Sequence, residues 1–291
     1  MNQSVLVIGG TRYFGIRLVE GLLAAGQRVT LANRGLTPDS FGDRVRRLRV
    51  DRRDAAAMAA CFADQPGFDL VYDQMCYSGR DAAIAADVFK GKVGRYLMTS
   101  TIEVYGDLHG HHLGPYAESA LDLGAELGLD ASDYGRAKRQ AEARLYRSVG
   151  LPAASLRLGH VLGGTEDFTG RLAAHVAAVL AGEPLRHAAA AGESSFIDVA
   201  GVVDFMLWAG QQDFLGPINV ASEGGLSAPQ LRARIGRLLN LPAPCLAQPQ
   251  VGEASFDYAA PHRMSLDRAQ AMGWRFAATE SWLDQLIDQH V

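Results

Sequence analysis

Short apolar runs alternate with helix-forming segments up to about residue 108, and this alternation constrains the fold more than any other feature. The runs SVLVIGG, QRVTLANRG, FDLVYDQM and RYLMTSTIEVYG have the length and branched residues of buried strands, and RVRRLRVDRRD contains a shorter one. Between them, apolar residues recur at helical spacing. PAASLRLG and GPINVAS are two later strand candidates. The pattern predicts an α/β protein with a doubly wound parallel sheet covered by helices on both faces.

Composition narrows the class of protein. The chain has 291 residues, 48% hydrophobic content and a formal net charge of −4, so it buries a large core and presents no overall basic charge for nucleic acid. No apolar run approaches the roughly 20 residues that span a bilayer, and we find no secretory signal. The three cysteines lie far apart and are odd in number. These features predict a cytoplasmic protein without a membrane partner and without a disulfide framework.

The segment VLVIGGTRYFG, residues 5–15, links the first strand to the first helix. Glycine at such a junction permits a tight turn, a close approach to a pyrophosphate, and packing of the helix on the strand. The helix N-terminus also attracts phosphate. We therefore predict a dinucleotide site, with a plain tight turn as the alternative. Its cofactor-binding residues would be Gly9, Gly10, Thr11, Arg12, Tyr13, Phe14 and Gly15.

The cofactor is predicted from the second and third strands. NAD-selective folds usually place an acid at the end of the second strand, and this chain has Asn33 and Arg34 there. Arg12 and Arg34 suit a 2′-phosphate, so we favour NADP over NAD. The alternative is that Arg34 is a solvated turn residue and Arg12 braces the loop. Asp51 would accept a hydrogen bond from adenine, or would cap the next helix.

A catalytic pair is predicted in the segment YGRAK, which places Tyr134 and Lys138 four residues apart on one helical face. A free tyrosine has a pKa of about 10, and a neighbouring ammonium favours its phenolate. Ser100 and Thr101, at the end of the fifth strand, are candidates to hold the reacting oxygen. A Tyr-x-x-x-Lys pair alone is also common on surface helices.

The segments GGTRYFG, STIEVYG and YGRAK occur in this order, and FIDV and INVAS follow at 196–199 and 218–222. Together they resemble the extended short-chain dehydrogenase/reductase family, the NAD(P)-dependent nucleotide-sugar epimerases and dehydratases. The resemblance covers most of the chain and is loose over the last 70 residues. The GGTR-aromatic-x-G loop resembles one branch, which includes epimerase-like proteins and chloroplast stem-loop RNA-binding proteins.

The resemblance implies a Rossmann-type fold and a set of catalytic roles. Tyr134 would remove a proton from a substrate hydroxyl, Lys138 would bind the nicotinamide ribose and tune Tyr134, and Thr101 would hydrogen-bond the substrate oxygen. His160 would face the substrate. Arg171 would contact a diphosphate or a carboxylate of the substrate, with the start of a surface helix as the alternative. No metal is expected, because the histidines of HGHH at 109–112 lack a completing ligand set.

The regular alternation of strands and helices changes after about residue 108, which predicts a second, smaller lobe over the carboxyl ends of the strands, where open α/β sheets bind ligands. The dinucleotide-binding domain would comprise residues 1–159 with 198–221. A small, discontinuous C-terminal substrate lobe would comprise 160–197 with 222–291. A homodimer is common in the family and is a further expectation.

The expected activity is epimerisation or reduction at a hydroxyl or keto carbon of a nucleotide-linked sugar. The related 4,6-dehydratases carry Asp–Glu after the catalytic threonine, whereas this chain has Ile102 and Glu103. Loss of that general acid disfavours 4,6-dehydration and leaves Glu103 as a base in another proton transfer or as a structural acid.

Two alternatives to nucleotide-sugar chemistry remain open from the sequence. One is an NADPH-dependent reductase of a non-nucleotide carbonyl. The other is a non-catalytic, RNA-binding-like protein that keeps the dinucleotide fold. The balanced charge and the Thr101, Tyr134 and Lys138 set count against this last alternative.

Overall fold

The structure, a computed structural model, describes residues 2–112, 114–126, 128–252 and 254–291. The chain divides into two compact units. The first unit comprises Met1–Val104, Leu121–Arg157 and Val203–Ile218, and the second comprises Tyr105–Ala120, Leu158–Val202 and Asn219–Val291. Residues 105–120 thus group with the second unit. The assignment of dinucleotide and substrate binding to separate domains stays a prediction.

The strands account for both the predicted sheet and smaller sheets that the sequence pattern did not indicate. In chain order they are β1 (Ser4–Ile8), β2 (Arg28–Asn33), β3 (Arg46–Arg49), β4 (Phe68–Asp73), β5 (Val93–Thr101), β6 (Ala153–Leu158), β7 (His160–Leu162), β8 (Leu185–Ala188), β9 (Ser194–Asp198), β10 (Gly216–Val220), β11 (Gly225–Leu226) and β12 (Cys245–Gln248).

The main sheet has seven strands in the order β10-β6-β5-β4-β1-β2-β3. The pairs β1–β2, β1–β4, β2–β3 and β4–β5 are parallel. All seven strand candidates of the sequence lie in this sheet, which confirms the predicted α/β class. The second unit adds a three-stranded sheet, β11-β9-β7, and a two-stranded sheet, β12-β8.

The α-helices predicted between the strands of the first unit are present. Those of the described chain are α1 (Phe14–Ala24), α2 (Ala55–Phe62), α3 (Gly79–Phe89), α4 (Tyr134–Tyr146), α5 (Arg171–Leu180), α6 (Val199–Ala209), α7 (Ala228–Leu239), α8 (Asp267–Ala271) and α9 (Leu283–Asp288). A 3-10 segment, Ile102–Leu108, follows β5. Among the described residues, none of the helices has the length and apolar character needed to cross a membrane.

Position in the sheet explains the strand sequences. The apolar residues of β1, Val5 to Ile8, are almost fully buried because β1 lies between β2 and β4 and is covered on both faces. The edge strand β3 is instead largely exposed and carries three arginines, which disfavours pairing with another chain. The core of the second unit includes Phe196, Trp282 and residues of α5, α7 and α9.

Candidate active site

The glycine loop after β1 has a backbone that larger residues would not adopt without strain. Gly9 and Gly10 have φ angles of 100° and 85°. A Cβ on Gly10 would lie 2.9 Å from a methyl of Val7, and one on Gly15 would lie 2.4 Å from Oε1 of Gln74. The three glycines therefore permit the tight turn and the close packing of α1 on the sheet.

The remaining loop residues lead into the positive end of the α1 dipole. Tyr13 is buried with φ 53°, and α1 begins at Phe14 without a side-chain cap. Thr11 is partly buried and Arg12 is exposed. The loop thus presents backbone and one cationic side chain at a helix N-terminus, an arrangement suited to phosphate.

The ends of β2 and β3 hold the other predicted cofactor residues. Asn33 Oδ1 accepts a hydrogen bond from Gly35 N at 2.8 Å, which forms a tight turn with Arg34 exposed at its centre. Within the described part of the chain, the side chains of Arg12 and Arg34 have no hydrogen-bond or ion-pair partner. Two unengaged guanidinium groups therefore flank the glycine loop and the end of β2.

Asp51 lies exposed after β3 and accepts a hydrogen bond from Arg53 N at 3.0 Å. The alternative that Asp51 caps the next helix is wrong, because the cap of α2 is Asp54, whose carboxylate accepts from Ala57 N. Asp51 instead forms an Asx-type turn that ends before the first amides of α2.

The start of α4 places Tyr134. Asp133 caps the helix by accepting from Arg136 N at 2.7 Å. A Cβ on Gly135 would lie 2.1 Å from the carbonyl oxygen of Glu103, so only glycine allows this contact. The first turn of α4 thereby lies against the backbone that follows Thr101, and Tyr134 stays about half exposed.

Lys138 is buried beneath this surface. Its Nζ donates to the carbonyl oxygens of Cys76, at 2.9 Å, and Thr99, at 2.8 Å. Burial lowers the pKa of Lys138 to about 8, although nearby acidic groups oppose the shift. The ammonium is thus tied to the segment after β4 and to the end of β5, one helical turn from Tyr134.

The structure separates the two hydroxyl candidates. Ser100 is buried and donates to Glu142 Oε1 at 2.7 Å, so its hydroxyl belongs to the core. Thr101 is partly exposed, and its Oγ1 accepts from Glu103 N at 3.2 Å, which leaves its proton available as a donor. Thr101 is therefore the better-placed group, and Glu103 is partly exposed two residues later.

A fully buried ion pair, absent from the sequence predictions, lies one turn beyond Lys138. Glu142 Oε2 is 2.6 Å from an Arg157 nitrogen, and neither side chain is solvent-accessible. Ser155 Oγ also donates to Glu142, at 2.9 Å. The pair joins α4 to β6, and the Ser100 hydrogen bond joins it to β5. The only signal for Glu142 in the sequence was its position four residues after Lys138, on the same face of the helix.

In the second unit the structure brings His160 and Arg171 together. Arg171 begins α5 and donates to Val161 O at 3.0 Å, and its Nη1 lies 3.5 Å from His160 Nδ1. His160 Nε2 is 2.9 Å from the Tyr258 hydroxyl. Burial, then the Arg171 charge, hold the pKa of His160 well below its usual range. His160 is therefore neutral near pH 7 and acts as a hydrogen-bonding group.

A group of packed rings that the sequence did not indicate surrounds His160. The His262 ring stacks on Tyr258 at 4.6 Å and lies 5.5 and 5.6 Å from the rings of Tyr116 and His109. His262 is 1% exposed, and neither of its ring nitrogens has a hydrogen-bond partner in the described chain. His109, the first histidine of HGHH, is thus part of an aromatic packing group.

This packing predicts acid sensitivity. Burial, with a smaller contribution from His109, lowers the pKa of His262 to about 4. The unfolded chain binds that proton below about pH 6.5 and the folded chain does not, so stability falls as pH drops from about 6.5 to 4. At pH 5 this lowers the free energy of unfolding of the wild type by about 2 kcal/mol, and His262→Phe should abolish that decrease.

The measurement is urea unfolding of both proteins at pH 5 and pH 8. The gain from His262→Phe should be larger at pH 5 than at pH 8, and His111→Phe, at an exposed position, is measured beside it as the surface control. Equal gains at the two pH values would contradict the assignment.

A glycine loop between a parallel strand and the next helix is characteristic of a Rossmann-type dinucleotide-binding fold, and Tyr134 and Lys138 lie on a later helix of the same unit. The model of the NAD dependent epimerase/dehydratase family matches residues 5–90 and 81–221. The chain belongs to this family.

Solved structures of similar fold include several nucleotide-sugar enzymes. The UDP-glucose 4-epimerase of Thermotoga maritima with UDP-glucose is 20% identical, with a TM-score of 0.76, covering 99% of this chain and 98% of that one. The dTDP-glucose 4,6-dehydratase of Bacillus anthracis with NAD is 14% identical, with a TM-score of 0.77, covering 99% and 96%. These likenesses confirm the fold.

Two characterised relatives match over shorter stretches. The chloroplast stem-loop binding protein of 41 kDa b of Arabidopsis thaliana is 29% identical over 119 residues, 36% of this chain and 30% of that protein. The 2'-dehydrokanamycin reductase of Streptomyces kanamyceticus is 32% identical over 102 residues, 35% and 28% respectively. The matches thus span less than a third of either relative.

Proposed function

We propose that this enzyme uses a nicotinamide dinucleotide, with NADP favoured, to oxidise and reduce a hydroxyl or keto carbon of a nucleotide-linked sugar. The observation that carries the proposal is the arrangement on α4. Buried Lys138 is hydrogen-bonded to Thr99 O, two residues before Thr101, and Gly135 lets Tyr134 approach the same backbone. A structural surface helix has no need of a buried ammonium there.

The residues of the first unit fit a dinucleotide. A Cβ at Gly10 or Gly15 would fill space that the turn requires, and exposed Arg12 stands at the N-terminus of α1. Gly9, Gly10 and the loop amides would hold the pyrophosphate. Arg34 and Arg12 would hold a 2′-phosphate, with Asn33 and Asp51 beside the adenosine. A bound nicotinamide supplies the hydride acceptor and donor.

Each catalytic residue then has a defined task. As the substrate carbon loses hydride, the proton of its hydroxyl passes to the Tyr134 oxygen, and the reverse step returns it. Thr101 donates a hydrogen bond to the same substrate oxygen. Lys138, with two N–H groups on backbone carbonyls, keeps a third for the Tyr134 side and the ribose. Glu103 is the second candidate for proton transfer.

The substrate class rests on the relatives. Neighbours that bind UDP-glucose support a nucleotide-linked sugar, with His160 and Arg171 as the contacting residues in the second unit. Arg171 offers a guanidinium for a diphosphate or carboxylate. Ile102 stands where the dehydratases carry their acid, so epimerisation or reduction is favoured over 4,6-dehydration.

The 2'-dehydrokanamycin reductase likeness supports a second candidate, an NADPH-dependent reductase of a non-nucleotide carbonyl. The stem-loop protein likeness supports RNA binding less well. Two of the six arginines around β3 are neutralised by ion pairs, because Arg47 is paired with Asp39 and buried Arg52 with Asp73, which reduces the positive charge of that segment.

Arg34→Ala should weaken NADP binding by roughly 10- to 100-fold, because a charged hydrogen bond to the 2′-phosphate is lost, and should change NAD binding little. The measurement is calorimetric titration with each dinucleotide. Arg28→Ala, at the opposite end of β2, is the matched control and should change neither affinity. Equal loss of NAD and NADP affinity in Arg34→Ala would refute the 2′-phosphate role.

The whole proposal is tested by purifying the protein without added nucleotide and identifying released dinucleotide by mass spectrometry. Stoichiometric NAD(H) or NADP(H) supports a self-recycling epimerase. An empty protein that binds NADPH supports a reductase, and UDP-glucose, dTDP-glucose and amino-sugar ketones are then assayed. A protein that binds neither dinucleotide overturns the proposal.

A further inference from the structure

We propose that Tyr77 is a positioning residue for Lys138. The Tyr77 ring covers the buried Lys138 ammonium, keeps it charged and keeps it directed toward Tyr134. The proposal deepens the function proposed above and rests on it for its catalytic meaning. Tyr77 lies outside the glycine loop and outside the tyrosine–lysine motif, in the segment between β4 and α3.

The geometry is a cation held against an aromatic face. Lys138 Nζ lies 4.4 Å from the centroid of the Tyr77 ring and 5.9 Å from that of Tyr134. The two tyrosine rings are 6.4 Å apart and tilted. A distance of 4.4 Å is well within the range of cation–π attraction, and burial strengthens it because water does not compete. The Tyr77 ring therefore supplies a favourable contact that the two carbonyl oxygens do not.

The backbone around Tyr77 is fixed independently of Lys138. Tyr77 N donates to Asp81 Oδ2 at 2.9 Å, and Asp81 with Ser78 forms the capping box of α3. Arg52 lies 3.5 Å from the other Asp81 oxygen and also pairs with Asp73. The carbonyl of Cys76, next to Tyr77, accepts the Lys138 hydrogen bond. One braced segment thus supplies both an acceptor and a ring to the ammonium.

The charged groups that face Lys138 come from three elements. Asp73 lies at the end of β4, Asp81 is on α3, and Glu142 is on α4, and each favours the protonated form of Lys138. The Cys76 thiol beside them stays neutral, because burial raises its pKa to about 12. Arg52 compensates Asp73 and Asp81, and Arg157 compensates Glu142. Burial destabilises the charged form of Lys138, and the nearest carboxylates stabilise it less because arginines already neutralise them. The contact with the Tyr77 ring therefore supplies part of the stabilisation that the ammonium needs.

The chain offers a direct measurement because it contains only three lysines, Lys90, Lys92 and Lys138. Protein labelled with 13C at the lysine ε carbon gives three signals, and Lys90 and Lys92 serve as internal references. The pH titration of the Lys138 signal is compared in wild type, Tyr77→Leu and Tyr77→Phe. Tyr77→Leu should lower the Lys138 pKa by about half to one unit, and Tyr77→Phe, which keeps the ring, should preserve it.

The outcomes separate the two proposals, because this titration needs neither cofactor nor substrate. An unchanged Lys138 pKa in Tyr77→Leu, or an equal fall in Tyr77→Phe, would overturn the role of the ring. If Tyr77→Leu does not fold, the wild-type spectrum decides: the Lys138 ε protons should be shifted upfield of those of Lys90 and Lys92 by the ring, and their coincidence would refute the contact. Failure of dinucleotide binding instead refutes the proposed function.

Discussion

Tyr134→Phe should lower kcat by about 10²–10⁴-fold, the usual contribution of a positioned acid–base group, and should leave dinucleotide affinity unchanged. The substitution removes only the phenolic oxygen. The Tyr134 ring is about half exposed, so the variant should retain the wild-type unfolding midpoint. The measurement is turnover of the best substrate from a panel of UDP- and dTDP-hexoses, followed through nicotinamide absorbance.

Tyr72→Phe is the matched control, because it removes a buried phenolic hydroxyl of the same unit, one that donates a hydrogen bond to the Met206 carbonyl oxygen. This control should lose some stability and keep its kcat. A Tyr134→Phe variant as active as wild type would remove Tyr134 from the mechanism. Loss of dinucleotide binding in Tyr134→Phe would show that the phenol contributes to the cofactor site.

The parts of the molecule that the sequence predicted are those with a local pattern. The strand β1 is apolar at four successive positions because both of its faces are covered. Gly9 and Gly10 indicate a tight turn, because the turn needs positive φ angles that glycine adopts without strain. The helix carrying Tyr134 and Lys138 shows a spacing of four. Each of these signals lies within about a dozen residues, so periodicity and turn chemistry find them.

Contacts between distant segments left no such signal. The burial of Lys138 depends on carbonyls at positions 76 and 99, and the ring of Tyr77 reaches it from a loop outside every motif that the sequence showed. Likewise, His109 and His262 meet although about half of the chain separates them. The short strands of the second unit pair by long-range register, and two to five residues are too few to display a period.

The pair of Glu142 and Arg157 carries the second large prediction, because both side chains are fully buried. Removing one partner from a buried pair leaves an uncompensated charge, at a typical cost of about 3–5 kcal/mol. Glu142→Gln and Arg157→Met should each destabilise the protein by about that amount in urea unfolding. The amide that replaces the carboxylate in Glu142→Gln keeps an oxygen for Ser100 and Ser155, so the loss reports the charge.

The double variant Glu142→Gln/Arg157→Met tests the pairing itself, because it contains neither charge. Its destabilisation should be well below the sum of the two single losses, giving a coupling energy of about 1–3 kcal/mol in the double-mutant cycle. Additive losses would mean that each side chain acts alone.

The double variant also tests whether the ion pair serves the active site. Ser100 precedes Thr101 and donates a hydrogen bond to Glu142, and Glu142 lies one turn from Lys138 on α4. If the ion pair holds β5 and α4 in register for catalysis, kcat should stay low in the double variant even where its free energy of unfolding recovers relative to the single variants. If the pair is purely structural, both kcat and the free energy of unfolding should recover.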